Sequence, residues 1–124
     1  MDAEEKDKVL DGGVAEWMWV DGKIAGEAYG KVVAELDEEI EDCEKYASAF
    51  YIYSFTILPE FQKAGLGKVL FAYFLGRIYA DYERIVMHAT SPGMVRLGET
   101  FGFQKGTVRQ KWYDTEREAV FMYR

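Results

Sequence analysis

One turn between a strand and a helix decides the fold of this chain: Phe55-Thr56-Ile57-Leu58-Pro59-Glu60-Phe61-Gln62-Lys63-Ala64-Gly65-Leu66-Gly67. Residues 49–57 are rich in aromatic and β-branched side chains, and both faces of the stretch are apolar. This pattern predicts a central strand covered on both faces. Pro59 ends this strand because proline cannot donate a ladder hydrogen bond. Apolar residues then recur at helical spacing over residues 66–80. Because this helix is apolar nearly all round, we expect it to be largely buried.

A β-hairpin is predicted near the amino terminus. Residues 15–20 and 23–29 have strand-like patterns, and Asp21-Gly22 between them supplies the positive φ angles of a tight turn. Gly26 and Gly30 indicate a bulge or a close backbone approach. Val32, Val33, Leu36 and Ile40 then either extend the second strand or start a short helix, and the sequence leaves both possibilities open.

The carboxy-terminal half adds a strand over residues 84–88, a helix over 92–101 and a final hairpin from 104–113 and 119–123. The complete order is strand, strand, strand, helix, strand, helix, strand, strand. This order predicts an α/β (α+β) fold with a mixed, mainly antiparallel central sheet and helices packed on it.

Length and composition bound the organisation of the chain. The 124 residues predict one domain over 1–124, with an amino-terminal arm over 1–14 and an acidic insert over 31–48. A single cysteine, Cys43, and the absence of a signal-peptide pattern favour a cytoplasmic location. The longest apolar run, residues 69–75, is too short to cross a bilayer, so no membrane partner is expected.

The net charge of −7 has a local origin. Between Glu35 and Glu44 lie seven acidic residues and no basic one, whereas the rest of the chain is balanced, with 22 − 7 = 15 acidic against 15 basic residues. Such a run disfavours nucleic acid. It is typical of a solvated loop, and it could also attract a cationic partner or substrate.

The turn before the long helix indicates an anion site. A helix amino terminus presents unpaired N–H groups with partial positive charge, and Gly65 and Gly67 let a phosphate approach the backbone. A Walker A loop is excluded because Gln62 and Val69 stand where it needs glycine and Ser or Thr. A dinucleotide fingerprint is excluded because Leu70 stands at its third glycine.

The motif Gln62-x-x-Gly65-x-Gly67, with its flanking strand and helix, resembles the acetyl-coenzyme A motif of the GNAT acyltransferases. The hairpin around Asp21-Gly22 and the Phe101-Gly102-Phe103 ending are similar to other parts of that family, in the same order, over roughly residues 15–123. The resemblance implies a GNAT-like domain that moves an acetyl group from acetyl-CoA to a small-molecule or peptide amine by direct attack. It implies a cofactor site formed by Phe55, Thr56, Ile57, Gln62, Lys63, Ala64, Gly65, Leu66, Gly67, Lys68 and Ser91.

The sequence departs from the family in its acceptor half. Family members usually carry two helices before the first hairpin, where this chain has fourteen residues, so the acidic insert is available to replace part of the acceptor site. The family's acid tyrosine falls at Gly98 and its asparagine at Ser91. We expect an acid from Tyr113, Tyr51 or Tyr53 and a base from Glu27, His88, Glu60 or a water chain.

Two further expectations complete the sequence interpretation. Cys43 lies among acids that keep it a poor nucleophile, and no metal site is predicted. The missing helices, acid and base favour an alternative function, a non-catalytic module that binds coenzyme A or a protein partner. Trp17, Trp19, Trp112 and Tyr123 are predicted surface aromatics that would suit a homodimer.

Overall fold

The structure, a computed structural model, describes residues 13–36, 40–112 and 117–124, without the side chains of Lys63 and Ala64. Residues 1–12, which form most of the predicted arm, lie outside this description. So do three residues of the acidic insert and the residues from Tyr113 to Glu116.

Six strands form one sheet in the order β1-β2-β3-β4-β6-β5. Every neighbouring pair is antiparallel except β3 and β4, which run parallel. The predicted mixed, mainly antiparallel sheet and the predicted order of elements are therefore confirmed. The strands are β1 Val14–Val20, β2 Lys23–Val32, β3 Phe50–Ile57, β4 Ile85–Ala89, β5 Gln104–Arg109 and β6 Ala119–Tyr123.

The amino-terminal hairpin forms as predicted. Asp21 and Gly22 have φ angles of 49° and 78°, so both occupy the left-handed region that a tight hairpin turn requires. Strand β2 continues to Val32 and is followed by the 3-10 helix Val33–Glu35, so this stretch both extends the strand and starts a short helix.

Two α-helices, α1 Leu66–Ile78 and α2 Pro92–Thr100, pack on one face of the sheet. Leu70, Phe71, Phe74, Leu75 and Ile78 of α1 are buried in a core that also contains side chains of β3, β4 and β6. The prediction that this helix is largely buried is wrong, because its outer face remains exposed. Val69 is 58% exposed and Tyr73 is 64% exposed.

The sheet splits between β3 and β4. Strand β3 contains a bulge, because Tyr53 is an extra residue between the pairs Tyr29–Ser54 and Gly30–Ile52. A bulge bends its strand and increases the local twist. Pairing between these two described strands ends at Ile52 and Met87, and both strands continue beyond that point.

Gly30 makes the bulge possible. A Cβ atom at Gly30 would collide with the carbonyl oxygen of Tyr51, so β2 and β3 approach more closely than any side chain permits. Gly26 is similarly crowded by Ile57. The close approach predicted for both glycines is confirmed.

The described residues of the acidic insert, 31–36 and 40–48 (hereafter the acidic segment), pack on the other face of the sheet. Val33, Ile40 and Tyr46 are buried against Tyr51, Val86 and Phe121. Backbone bonds from Val33 N to Ala49 O (2.9 Å) and from Ala34 N to Ala47 O (3.0 Å) fix its two ends. The interpretation as a solvated loop is therefore wrong for its apolar residues, which form a second core.

No helix within the described ranges has both the length and the apolar character needed to cross a membrane.

Replacing Tyr46 with alanine tests whether the acidic segment is part of the fold. Tyr46 is 5% exposed, and its ring lies 5.6 Å from that of Phe121. We expect Tyr46→Ala to lower the free energy of unfolding by about 3 kcal/mol, as for other buried aromatic truncations. The neighbouring Glu44 is exposed. Glu44→Ala should change stability by less than about 0.5 kcal/mol in the same urea titration. Equal effects would contradict the second core.

Candidate functional site

A cavity of about 500 Å³ occupies the split between β3 and β4. It extends from Gln62, before α1, and Gly67, in the first turn of α1, to side chains on the opposite face of the sheet. Its volume falls in the range of small-molecule sites. The lining residues are Tyr51, Ile52, Tyr53, Ser54, Phe55, Ile57, Gln62, Gly67, Met87, His88, Thr90, Ser91, Gly93, Met94, Leu97 and Trp112.

The start of α1 forms one end of this cavity. The 3-10 helix Pro59–Ala64 leads into Gly65, which has a φ of 73° and is the N-cap of α1. Glycine adopts this conformation without strain, and it has no side chain to cap the helix. None of the first-turn residues Leu66 to Val69 is acidic. The backbone N–H groups and the helix dipole therefore favour an anion at this end.

Glycine also keeps the first turn of α1 open. A Cβ atom at Gly65 would meet no described atom within 4 Å, and one at Gly67 would meet only Ile57 Cγ1, at 3.8 Å. The backbone here is therefore accessible to a bulky phosphate group. The residues present fit the pyrophosphate of a coenzyme A.

Contacts between the loop and β3 fix the position of this end. The Gln62 amide donates from Nε2 to the carbonyl oxygen of Ile57 at 2.9 Å. Leu58 N donates to Ala25 O at 2.8 Å, which ties the end of β3 to β2. Phe55 contacts Phe71 of α1 edge to face, with ring centroids 5.2 Å apart. These contacts hold the end of β3 and the start of α1 together.

Helix α2 forms the wall of the cavity on the β4 side. Its N-cap is Ser91, whose hydroxyl oxygen accepts a hydrogen bond from Met94 N at 3.2 Å. Gly98 faces the sheet, where a Cβ atom would lie 2.6 Å from Met87 Cε and 3.0 Å from Met122 Cε. A tyrosine cannot fit there without moving both methionines.

A hydrogen-bonded chain crosses the opposite end of the cavity. The Tyr51 hydroxyl lies 2.7 Å from His88 Nδ1, and His88 Nε2 lies 2.8 Å from Glu41 Oε2. The other carboxylate oxygen of Glu41, Oε1, forms an ion pair with Arg109. These four residues come from β3, β4, the acidic segment and β5.

Burial controls the charge of His88. Its side chain is 1% exposed, and its ring packs against Trp112 at a centroid distance of 4.6 Å. Desolvation lowers the pKa of His88 below the ordinary 6.5, while the hydrogen bond and negative charge of Glu41 oppose this shift and Arg109 adds to it. The neutral ring is therefore favoured near neutral pH.

The hydrogen-bond partners determine the tautomer of the neutral ring. A carboxylate only accepts hydrogen bonds, so His88 carries its proton on Nε2 and donates it to Glu41. His88 Nδ1 is then an acceptor, and the Tyr51 hydroxyl donates to it.

The structure brings together only some of the predicted site residues. Of the predicted cofactor residues, the cavity lining includes Phe55, Ile57, Gln62, Gly67 and Ser91. Thr56, Gly65, Leu66 and Lys68 lie beside it without lining it, and the side chains of Lys63 and Ala64 are not described.

Only some of the candidate acids and bases line the cavity. His88, Tyr51 and Tyr53 line the cavity, whereas Glu27 and Glu60 do not. Glu27 lies on β2, opposite Thr56 of β3. Tyr113 lies outside the described residues.

Sequence reasoning missed Glu41, Arg109 and Trp112. Glu41 is 47 residues from His88 along the chain, and nothing in the acidic run over residues 35–44 distinguishes this residue as one that turns inward. Trp112 had been predicted as a surface aromatic. Trp112 and Tyr123 are instead partly buried against His88 and Phe121, whereas Trp17 and Trp19 are exposed.

Within the described part of the chain, no three His, Cys, Asp or Glu side chains cluster closely enough to hold a metal ion.

Many solved structures share this architecture, among them acetyltransferases of the GNAT family. The E. coli ribosomal-protein-S18-alanine N-acetyltransferase matches with a TM-score of 0.71 at 18% identity, over 98% of this chain and 75% of that chain. The ribosomal-protein-alanine N-acetyltransferase of Brucella melitensis matches at 0.75 and 14% identity, over 100% and 78%.

A third match was solved with its ligand. The GNAT-superfamily phosphinothricin acetyltransferase of Sinorhizobium meliloti, in complex with acetyl-CoA, has a TM-score of 0.77 at 18% identity, over 98% of this chain and 66% of that chain. No protein-family model matches the sequence, and no curated protein matches it. At these identities the likeness establishes the fold, which is the one the sequence motifs indicated.

The lowered pKa of His88 predicts how stability depends on pH. Between its folded-state pKa and 6.5, the unfolded chain binds more protons at this residue than the folded chain, so stability falls as pH falls through this window. We expect the urea midpoint of the wild type to drop more between pH 7 and pH 5 than that of His88→Gln, whose amide does not titrate. Parallel pH dependences in the two proteins would contradict a desolvated His88.

Proposed function

We propose that this chain, which has the GNAT fold, is an N-acetyltransferase that moves an acetyl group from acetyl-CoA to an amine. The observation that carries the proposal is the cavity in the split between β3 and β4, which begins at the glycine-bearing start of α1. Solved neighbours with this fold are acetyltransferases, and several of them hold acetyl-CoA. The anion site and the adjacent cavity together suit a ligand that joins a pyrophosphate group to a long, narrow arm.

The proposed cofactor site divides between backbone and side chains. Backbone N–H groups from Gln62 through Lys68 would hold the pyrophosphate. Phe55 and Ile57, which line the cavity on β3, would lie along the pantetheine arm. Acetyl-CoA supplies an activated acyl group. Beyond Ile52, β3 no longer pairs with β4, so its backbone groups on that side can orient the acyl group.

The proposed acceptor is a cationic amine, on a small molecule or a peptide. The acidic segment covers the face of the sheet on which Tyr51, Tyr53 and His88 line the cavity. Its exposed members Glu35, Asp42 and Glu44 add negative charge beside that end. A negative electrostatic potential raises the local concentration of cations.

Two glycine substitutions in α1 test the cofactor site. Gly67→Ala adds a methyl group that the fold tolerates, since its nearest described neighbour is 3.8 Å away, but that stands where a phosphate would approach. Gly76→Ala, in the same helix, adds a methyl group with no described atom within 4 Å. Both variants should melt at the wild-type temperature or slightly above it, because alanine is favoured over glycine in helices by about 1 kcal/mol.

Acetyl-CoA should separate the two variants. The wild type and Gly76→Ala should melt at higher temperature with acetyl-CoA, because the ligand binds only the native state. Gly67→Ala should bind about tenfold more weakly, equivalent to about 1.4 kcal/mol. No thermal shift of the wild type at millimolar acetyl-CoA would contradict the proposal. A shift without thiol release across a panel of polyamine, lysine peptide, amino-terminal peptide and aminoglycoside would favour the non-catalytic coenzyme A-binding alternative.

Neutralising the exposed acids tests the acceptor proposal. In the triple variant Glu35→Gln, Asp42→Asn, Glu44→Gln, we expect the KM for a polyamine acceptor to rise about threefold or more at low salt. Asparagine is chosen at residue 42 because Asp42 has a φ of 50°, which asparagine tolerates. The KM for acetyl-CoA should not rise. An unchanged polyamine KM would assign these charges to solubility alone.

Two further proposals concern assembly and location. Trp17 and Trp19, exposed on the edge strand β1, support a homodimer, and a monomer by light scattering at working concentration would contradict it. The single cysteine supports a reducing compartment, and we propose the cytoplasm.

A further inference from the structure

We infer that Tyr51, His88 and Glu41 form a proton relay in which the Tyr51 hydroxyl accepts the proton of the attacking amine. This inference rests on the proposed function. It supplies a general base beside β3, a strand that contains no Asp or Glu. It is carried by the two hydrogen bonds that join these side chains, at 2.7 and 2.8 Å, beside the cavity.

Tyr51 and His88 are placed where they can reach an amine bound in the cavity. Tyr51 and His88 both line the cavity, and they stand on the two strands whose separation creates it. Tyr51 is 7% exposed, so its hydroxyl is held by the protein more than by solvent. A group that abstracts a proton must lie within hydrogen-bond reach of the reacting nitrogen, and the cavity provides room for that nitrogen beside Tyr51.

The hydrogen bonds of His88 set the direction in which a proton can move. Glu41 fixes the proton of His88 on Nε2, so Nδ1 accepts from the Tyr51 hydroxyl. A hydroxyl that donates its hydrogen can still accept one. Tyr51 can therefore take a proton on its oxygen while it passes its own proton to His88. Its role is catalytic, whereas His88 and Glu41 act through it as positioning residues.

The proton moves through the relay as the acetyl group moves to the amine. The acceptor reacts as the neutral amine, after its ammonium group has released one proton to solvent. The amine lone pair then forms the C–N bond to the acetyl carbon, and the C–S bond breaks with its electron pair leaving on the thiolate. A thiol with a pKa of about 8.5 is an adequate leaving group without protonation. The N–H proton moves to the Tyr51 oxygen, and the former hydroxyl proton moves to His88 Nδ1. The resulting imidazolium is stabilised by Glu41 and returns its proton to solvent.

The groups around the His88 imidazole suit a ring that accepts a proton. Glu41 faces His88 from the acidic segment, Arg109 of β5 faces Glu41, and Tyr51 of β3 faces Nδ1. Desolvation keeps the ring neutral, and hence able to accept a proton, whereas Glu41 stabilises the charged form that follows. This arrangement of a base oriented by a carboxylate follows the same logic as the histidine and aspartate of a serine hydrolase triad.

Tyr51→Phe tests the catalytic step. We expect its kcat with the best amine of the panel to fall about 100-fold or more, as for other losses of general base catalysis, with the KM for acetyl-CoA unchanged within about threefold. The matched control is Tyr46→Phe, which removes another buried hydroxyl from the same face while keeping its ring in the core. Tyr46→Phe should retain kcat within about twofold.

Nuclear magnetic resonance gives a readout that needs no turnover, because His88 is the only histidine. The neutral ring should carry its proton on Nε2. Tyr51→Phe should move the Nδ1 signal toward that of a nitrogen without a hydrogen bond. Glu41→Gln should lower the pKa of His88, because the carboxylate raises it.

The outcomes separate this inference from the proposed function. Absence of wild-type turnover on every amine would overturn the proposed function and, with it, the relay. Wild-type turnover with an undiminished kcat in Tyr51→Phe would overturn the relay alone. A neutral ring protonated on Nδ1, or a pKa of His88 unchanged in Glu41→Gln, would equally overturn it.

Discussion

The arrangement of the site depends on where β3 and β4 stop pairing. Three residue pairs join these parallel strands, and the extra residue Tyr53 then turns β3 away from its neighbour. The opening places a cavity inside a continuous sheet without removing the core on either side. This opening requires glycine at residue 30, because the close approach of β2 and β3 at the bulge leaves no room for a side chain. Backbone geometry therefore creates the cavity, and side chains only line it.

The cavity divides the chemistry between the two faces of the sheet. On the helical face, the start of α1 offers backbone N–H groups and a dipole, which recognise charge without depending on particular side chains. On the other face, Tyr51 and His88 offer groups that exchange protons. A ligand that spans the opening would meet anion recognition at one end and proton transfer at the other.

Local signals in the sequence predicted much of the fold. Asp21-Gly22, Pro59 and Gly65 each act within a few residues, so the hairpin, the end of β3 and the start of α1 could be predicted. The error on α1 has a different cause, because an apolar residue such as Tyr73 stays exposed when no described element covers it. The role of Glu41 could not be predicted, because its contact with His88 is purely tertiary.

The second core under the acidic segment has a consequence for dynamics. Glu41 reaches His88 from a connection between strands, so the environment of the imidazole depends on the local unfolding free energy of that connection. Opening the segment would hydrate the ring, break its bond to the carboxylate and return its pKa toward that of a free histidine. The protonation state of His88 is therefore coupled to hydrogen exchange of the segment's backbone amides, and each reports on the other.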